Sequence, residues 1–145
     1  MLPIDLWGDG ARHAFKVLAP LTILANEAEK GKPGLFLWED PELFMNPGAL
    51  GRMLQEVIHL VKGKSIQVFI TTQSIEVIAH FTTMLRDHIV PETSTKAFRI
   101  GLREGKLIVS WFDHRNLIAW LEGGTDPRLW EQGEMPLQYR LGEEE

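Results

Sequence analysis

The sequence predicts an α/β fold, in which a βαβ unit with two parallel strands is followed by an antiparallel hairpin. Two short apolar segments, 35–38 and 65–70, alternate with longer segments whose apolar residues recur at helical spacing. That alternation favours a right-handed crossover between two parallel strands. After Pro91, apolar and polar residues alternate on both sides of a turn that contains glycine, and this pattern indicates a hairpin.

The first two elements are a helix and a strand. The turn 8–10 contains two glycines and precedes a helical pattern from Ala11, with Asp9 as the expected N-cap. Pro20 predicts a kink in this helix. The next segment, 35–38, is wholly apolar, which is typical of a parallel strand that is buried on both faces.

The second helix and strand repeat this order. Pro47 is well suited to the first position of a helix, and the apolar stripe that follows runs to Val61, after which Gly63 ends the pattern. Strand 65–70 then leads into a polar cluster, 71–74. Ser74 is the expected N-cap of a third helix.

The C-terminal third has a different character. Segments 98–102 and 107–111 form the predicted hairpin, and a short helix around 117–121 follows before the tail from Thr125, which has an irregular pattern. The chain is therefore predicted to be a single domain, 1–145, with an α/β core in 1–90 and a hairpin, short helix and tail in 91–145.

Composition limits the classes of function. The chain has 145 residues, no cysteine and a formal net charge of -5. Disulfides, a thiol nucleophile and cysteine-ligated metals are therefore excluded, and no broad cationic surface is expected to bind nucleic acid directly. The sequence shows neither a signal peptide nor an apolar run of membrane-spanning length, so we expect a cytoplasmic location without membrane association.

Polar side chains follow both predicted parallel strands. Glu39 and Asp40 end the first strand, and the cluster 71–74 ends the second. Because parallel strands place their carboxyl ends at one edge of the sheet, one carboxylate could hold Mg²⁺ while the other orients a water molecule. Gln73 could reach a phosphate oxygen or that water. The competing interpretation is that the two acids merely begin a loop.

The turn at 8–10 is the second candidate site. Glycines leave backbone N–H groups accessible, and the N-terminus of a helix favours an anion through its dipole. A Gly-Asp-Gly sequence before a helix is also a common turn without any ligand, so both interpretations stay open.

Taken in order, these motifs resemble the second half of an ABC-type ATPase head. The motifs are the turn 8–10, the segment 35–42 with its two acids and Pro-Glu, and the segment 67–74. The closest branch is the AAA-type ATPases related to RecF, SMC and the OLD family. The resemblance implies a parallel-sheet βαβ core of a P-loop NTPase half, with the hairpin and short helix as recurring C-terminal elements.

The resemblance also implies a role for each matching residue. Glu39 corresponds to the Walker B acid that helps to hold Mg²⁺, and Asp40 corresponds to the acid that activates water. Gln73 corresponds to the switch histidine that senses the γ-phosphate. The nucleotide-binding positions implied by the signature and switch segments are Gly8, Asp9, Gly10 and Thr72.

The sequence departs from the family pattern at several of these positions. Glu39 precedes Asp40 where the usual order is Asp then Glu, Asn46 stands before Pro47 in place of His, and Gln73 can hydrogen-bond but cannot carry a proton. The chain contains no G-x-x-x-x-G-K-[ST] loop to hold the phosphates. We therefore expect negligible hydrolysis by this chain alone.

The resemblance implies ATP and Mg²⁺ as cofactors. It also implies that a Walker A-bearing partner chain or a homodimer completes the site, and that the chain has an indirect link to nucleic acid. Two alternatives stay open. One is a catalytically degenerate head that only dimerises or docks, and the other is a metal site for phosphodiester hydrolysis formed by Glu39, Asp40 and Glu42.

Overall fold

The computed structural model describes residues 8–103, 105–124 and 126, and it shows a mixed α/β protein. The helices are α1 (Asp9–Glu29), α2 (Pro47–Val61), α3 (Ile75–Arg86) and α4 (His114–Gly123). The strands are β1 (Gly34–Glu39), β2 (Ile66–Thr71), β3 (Ala97–Arg103) and β4 (Lys106–Phe112), with a 3-10 turn at Glu92–Ser94. The chain divides into two compact units, Met1–His80 and Phe81–Glu145. The single-domain organisation stays a prediction.

The first unit contains the predicted βαβ arrangement. Strands β1 and β2 are parallel neighbours, with Gly34 opposite Ile66 and Glu39 opposite Thr71. Helix α2 connects them, and α1 contacts α2 and both strands. The core of this unit comes from one stripe on each helix and the inward side of β1: Val17, Leu21, Ala25, Trp38, Leu50, Met53, Leu54 and Val57.

Burial of β1 on both faces was a wrong expectation. Trp38 is buried, but Leu35 and Leu37 on the other face are 56% and 70% exposed. Phe69 of β2 lies on the same side and is also half exposed. The apolar run reflects the composition of the strand, whereas burial depends on whether another layer covers it. The parallel pair therefore has one covered and one open apolar face.

The start of α1 also differs from the prediction. The helix begins at Asp9, so the N-cap is Gly8, and no side chain caps this end. Asp9 instead forms an ion pair with Arg12, one turn into the helix. Pro20 lies inside the same continuous helix, which runs on to Glu29.

The predicted starts of α2 and α3 are confirmed. Pro47 is the first residue of α2, and the side chain of Asn46 caps it by accepting a hydrogen bond from the backbone N–H of Ala49 at 2.9 Å. The Ser74 hydroxyl accepts hydrogen bonds from the backbone N–H groups of Glu76 and Val77 at the start of α3.

The second unit contains the hairpin. Strands β3 and β4 are antiparallel, and Gly105 occupies the turn with a φ of +78°, a conformation that favours glycine. Helix α4 contacts β4 and begins with a reciprocal capping box between Asp113 and Asn116. Ser110 and Phe112 are buried on one face of the hairpin. The predicted irregular tail from Thr125 lies outside the described residues, apart from Asp126.

None of the helices within the described residues combines the length and the apolar composition that a bilayer span requires.

Candidate functional site

The carboxyl ends of β1 and β2 lie side by side, as the alternating order of the sequence predicts. Glu39 is the register partner of Thr71, and the backbone N–H of Asp40 donates to the carbonyl of Thr71 at 2.9 Å. This hydrogen bond continues the ladder by one residue beyond β1. The two acids and the threonines 71 and 72 therefore share one edge of the sheet.

The two acidic side chains leave this edge in different directions. Glu39 belongs to the strand and is exposed on the open face, next to Leu37 in the alternation. Asp40 has a φ of +46°, in the left-handed region that few residues other than glycine, asparagine and aspartate adopt. That conformation ends the strand alternation at Asp40, whose side chain is half-buried. One carboxylate thus faces outward, and the other sits where the chain turns.

The loop 40–46 is tightly folded. The backbone N–H of Leu43 donates to the carbonyl of Asp40 at 3.0 Å, and Pro41 is fully buried. Phe44 has a φ of +63°, a second left-handed residue, and its side chain is 66% exposed. Left-handed residues other than glycine persist where the surrounding structure holds them, and they are concentrated at functional sites.

Sequence reasoning missed the contact between Glu42 and Thr72. The Thr72 hydroxyl lies 3.0 and 2.9 Å from the two carboxylate oxygens of Glu42, and it accepts a hydrogen bond from the backbone N–H of Ser74 at 2.9 Å. Glu42 therefore ties the loop after β1 to the segment after β2. The only sequence signal was the position of Glu42 in the Pro-Glu pair, which gave no indication of its partner thirty residues away.

Gln73 occupies the turn between β2 and α3. Its neighbours are both fixed, because Thr72 bonds to Glu42 and Ser74 caps α3. Gln73 itself is exposed at this turn. Gln73 thus lies at the same edge of the sheet as the two acids.

The turn at 8–10 packs against the acidic loop. A Cβ atom added at Gly10 would lie 2.8 Å from the backbone carbonyl oxygen of Phe44, closer than such atoms approach in proteins. Gly8 and Asp9 are both exposed, and Gly8 has open space around its Cα. The structure therefore brings Gly10 to the loop that follows Asp40, while Gly8 and Asp9 form the solvent-facing part of the turn.

A groove of about 450 Å³ lies between α1, α2 and the loop 40–46, and Gly10 and Phe44 line it. His13 lies beside it on α1, with its ring centroid 6.4 Å from that of Phe44. The His13 Nε2 atom is buried and has no hydrogen-bond partner in the described part of the chain. Burial, and secondarily the charge of Lys16, lower the pKa of His13 below its ordinary 6.5.

Within the described ranges, no group of three or more acidic or histidine side chains is arranged to hold a metal ion. Glu39 and Asp40 have no side-chain hydrogen bond or ion pair to any other described residue. The edge thus offers two carboxylates that are not committed to contacts with other residues in the described part of the chain.

These features define a small α/β protein with a carboxylate-bearing site at the end of a parallel strand pair. No protein-family model matches the chain, and no solved structure matches it. The chain is 30% identical to the Uncharacterized protein MJECL11 of Methanocaldococcus jannaschii over 121 residues, which are 83% of this chain and 89% of the relative. The chain belongs to the same family as that protein.

Proposed function

We propose that this chain is the second half of an ATPase head, which supplies the Walker B, switch and signature elements to ATP and Mg²⁺. A lobe that carries the phosphate-binding loop would complete the site. The observation that carries the proposal is the parallel pairing that sets Glu39 and Asp40 beside Thr71 and Thr72. Ligands of parallel α/β sheets bind beyond the carboxyl ends of such strands.

The residues at this edge suit Mg²⁺. This ion takes oxygen ligands and is usually held by one or two carboxylates together with substrate phosphates and water, so a preformed cage is not required. Glu39 offers an exposed carboxylate at the strand end, which matches that need. When bound there, the metal would neutralise charge on the β- and γ-phosphates.

Asp40 and Gln73 have different tasks in this proposal. Asp40 would orient the attacking water and accept its proton, because its carboxylate stands one residue beyond the metal-holding Glu39. Gln73 would donate a hydrogen bond to the γ-phosphate from the exposed turn after β2. The shorter reach of aspartate compared with glutamate places the base about one C–C bond farther back, which predicts slow hydrolysis.

The open face of the parallel pair supports a separate lobe. Leu35, Leu37 and Phe69 are large, apolar and exposed, and this face runs directly to Glu39. Parallel sheets are normally covered on both faces. Neither β1 nor β2 has a second strand partner among the described residues. A lobe seated on this face would bring its phosphate-binding loop to the edge that carries the acids.

The proposal can be tested on the chain by itself with a paramagnetic metal. We expect Mn²⁺ with a non-hydrolysable ATP analogue, at millimolar concentration, to broaden the amide NMR signals of residues 39–40 and 71–73. Glu39→Ala should abolish the broadening. Glu56→Ala, which removes an exposed glutamate from α2, is the matched control and should leave it intact.

Two results would contradict the proposal. Broadening by Mn²⁺ that is equally strong without nucleotide would indicate a metal site of another kind, such as that of a phosphodiesterase. Absence of broadening under every condition would favour the second candidate function.

That second candidate is a degenerate head that serves only as an interaction module. The hydrogen bonds of Thr72 favour it, since its hydroxyl is engaged by Glu42 and by the backbone of Ser74 and does not point to an open site. Gln73 adds to this, because an amide cannot transfer a proton.

A further inference from the structure

We propose that the open face of the β3–β4 hairpin is a homodimer interface, on which a second copy of this chain packs face to face. We define this surface, the hairpin face, by six residues on one side of the two strands: Phe98, Ile100, Leu102, Leu107, Val109 and Trp111. The inference is independent of the proposed ATPase function.

The hairpin face is apolar throughout. Five of its six side chains are exposed by 45–76%, and Trp111 is half-buried. All six residues are uncharged. The charged residues Arg99 and Lys106 alternate onto the other side of the strands. Lys96 lies at one end of the face, where its Nζ is 5.6 Å from the centre of the Trp111 ring.

The area of this face suits a dimer. A large apolar side chain exposes roughly 150–200 Å² when fully open. The five exposed residues therefore form a patch on the order of 500 Å², within the range of the largest apolar patch on a typical monomer, which is often functional. Two such patches would remove about 1,000 Å² from water, the size at which specific interfaces begin.

The order of side chains along the face favours a second copy over an unrelated partner. The cross-strand pairs are Phe98–Trp111 at one end, Ile100–Val109 in the middle and Leu102–Leu107 at the other end. When the two-fold axis runs across the strands at their middle, the aromatic pair of one copy meets the leucine pair of the other, and the middle pairs meet each other. Aromatic residues then face leucines at both ends of the interface, and the β-branched residues of the two copies meet at its centre.

Charge does not oppose this arrangement. The two-fold axis passes near the middle pair, so the Lys96 residues of the two copies lie at opposite ends of the interface. Strands of seven residues are roughly 20 Å long, which exceeds the screening length of about 8 Å in physiological salt. Repulsion between the two ammonium groups is therefore small.

Sedimentation of the full chain tests the proposal. We expect a dimer with a Kd on the order of 1 µM, present with or without ATP and Mg²⁺. Ile100→Glu should weaken association at least 100-fold, because it places a carboxylate in each half of the central contact. Ile23→Glu is the matched control, since Ile23 on α1 is exposed to nearly the same extent as Ile100, 66% against 65%. That control should dimerise like the unmodified chain.

A charge-reversal pair separates loss of the interface from loss of folding. Ile100→Glu and Ile100→Lys should each be monomeric, whereas a mixture of the two should form a heterodimer that native mass spectrometry can detect. A monomer at about 100 µM, a dimer unaffected by Ile100→Glu, or equal weakening by Ile23→Glu would overturn the proposal. If the chain is a monomer, the occupant of the hairpin face is something other than a second copy of this chain.

Discussion

The parallel pair β1–β2 and the hairpin β3–β4 are both two-stranded sheets with one covered and one open apolar face. They differ in what borders the open face. The face of the parallel pair ends at the side chains of Glu39 and Thr71, whereas the hairpin face carries six uncharged residues and ends at a turn. An apolar face that adjoins acidic side chains suits a partner that completes a functional site. An apolar face without polar groups suits simple association between proteins.

Each of the two sheets is stabilised by the helices that pack on its covered face. A two-stranded sheet is marginal in water unless another layer packs on it. Helices α1 and α2 supply this layer in the first unit, and α4 contacts β4 in the second. The stability of each unit should therefore depend on its covered face and very little on its open face.

The largest expected effect contrasts a covered with an open position in the first unit. Leu54→Ala removes a fully buried side chain of α2 and should lower the free energy of unfolding by about 3 kcal/mol. Leu37→Ala on the open face should change it by less than about 0.5 kcal/mol. Urea unfolding followed by circular dichroism measures both. Equal losses would mean that the outer face of β1 is covered in the isolated chain.

A smaller effect tests whether the turn 8–10 is held against the acidic loop. Gly10→Ala places a Cβ atom 2.8 Å from the carbonyl oxygen of Phe44, a backbone atom that cannot move aside cheaply. We expect a loss of roughly 1–2 kcal/mol in the free energy of unfolding, as for other overpacked sites. Gly48→Ala is the matched control, because Gly48 is likewise the second residue of a helix and its added Cβ atom would make only an ordinary 3.5 Å contact with the Asn46 side chain.

The comparison of these two glycine variants tests the structure of the site as well as stability. If Gly10→Ala were as stable as Gly48→Ala, the turn would not be packed on the loop. The proposed signature and Walker B elements would then have no structural connection through Gly10 and Phe44.

Much of this fold follows from local patterns in the sequence. Pro47 marks the start of α2 and Ser74 caps α3, because caps depend on residues within one turn of the helix end. The hairpin and its Gly105 turn follow from alternation and a local need for positive φ. The adjacency of the two acids and the threonines follows from the parallel order of strands.

The rest of the site depends on contacts between distant residues. The apolar run around Leu37 does not say whether a layer covers it, so burial of β1 on both faces could not be established from the sequence. The Glu42–Thr72 hydrogen bond is made from a loop in which Asp40 and Phe44 adopt left-handed conformations. No local pattern specifies such a loop, because its shape is set by packing against α1 and the end of β2.

The smallest expected effect is a dependence of the free energy of unfolding on pH, caused by His13 in the first unit. The described residues of the hairpin offer no counterpart to it. The pKa of His13 is lowered by burial and by Lys16, whereas the unfolded chain restores its ordinary 6.5. Below pH 6.5 the unfolded state binds a proton that the folded state resists, so the free energy of unfolding should fall as the pH drops. The decline should level off below the pKa of the folded state.

Two variants separate this contribution from other titrations. His13→Phe keeps a ring against Phe44 and should flatten the dependence between pH 5.5 and 7.5, and Lys16→Met should reduce it by removing the second cause. Lysine partners lower the pKa values of Glu27 and Glu29 from 4.5, so the stability that these acids contribute is lost only in more acidic solution. An unchanged slope in His13→Phe would show that the buried Nε2 atom of His13 does not resist protonation, and the close packing of α1 on the loop 40–46 would have to be revised.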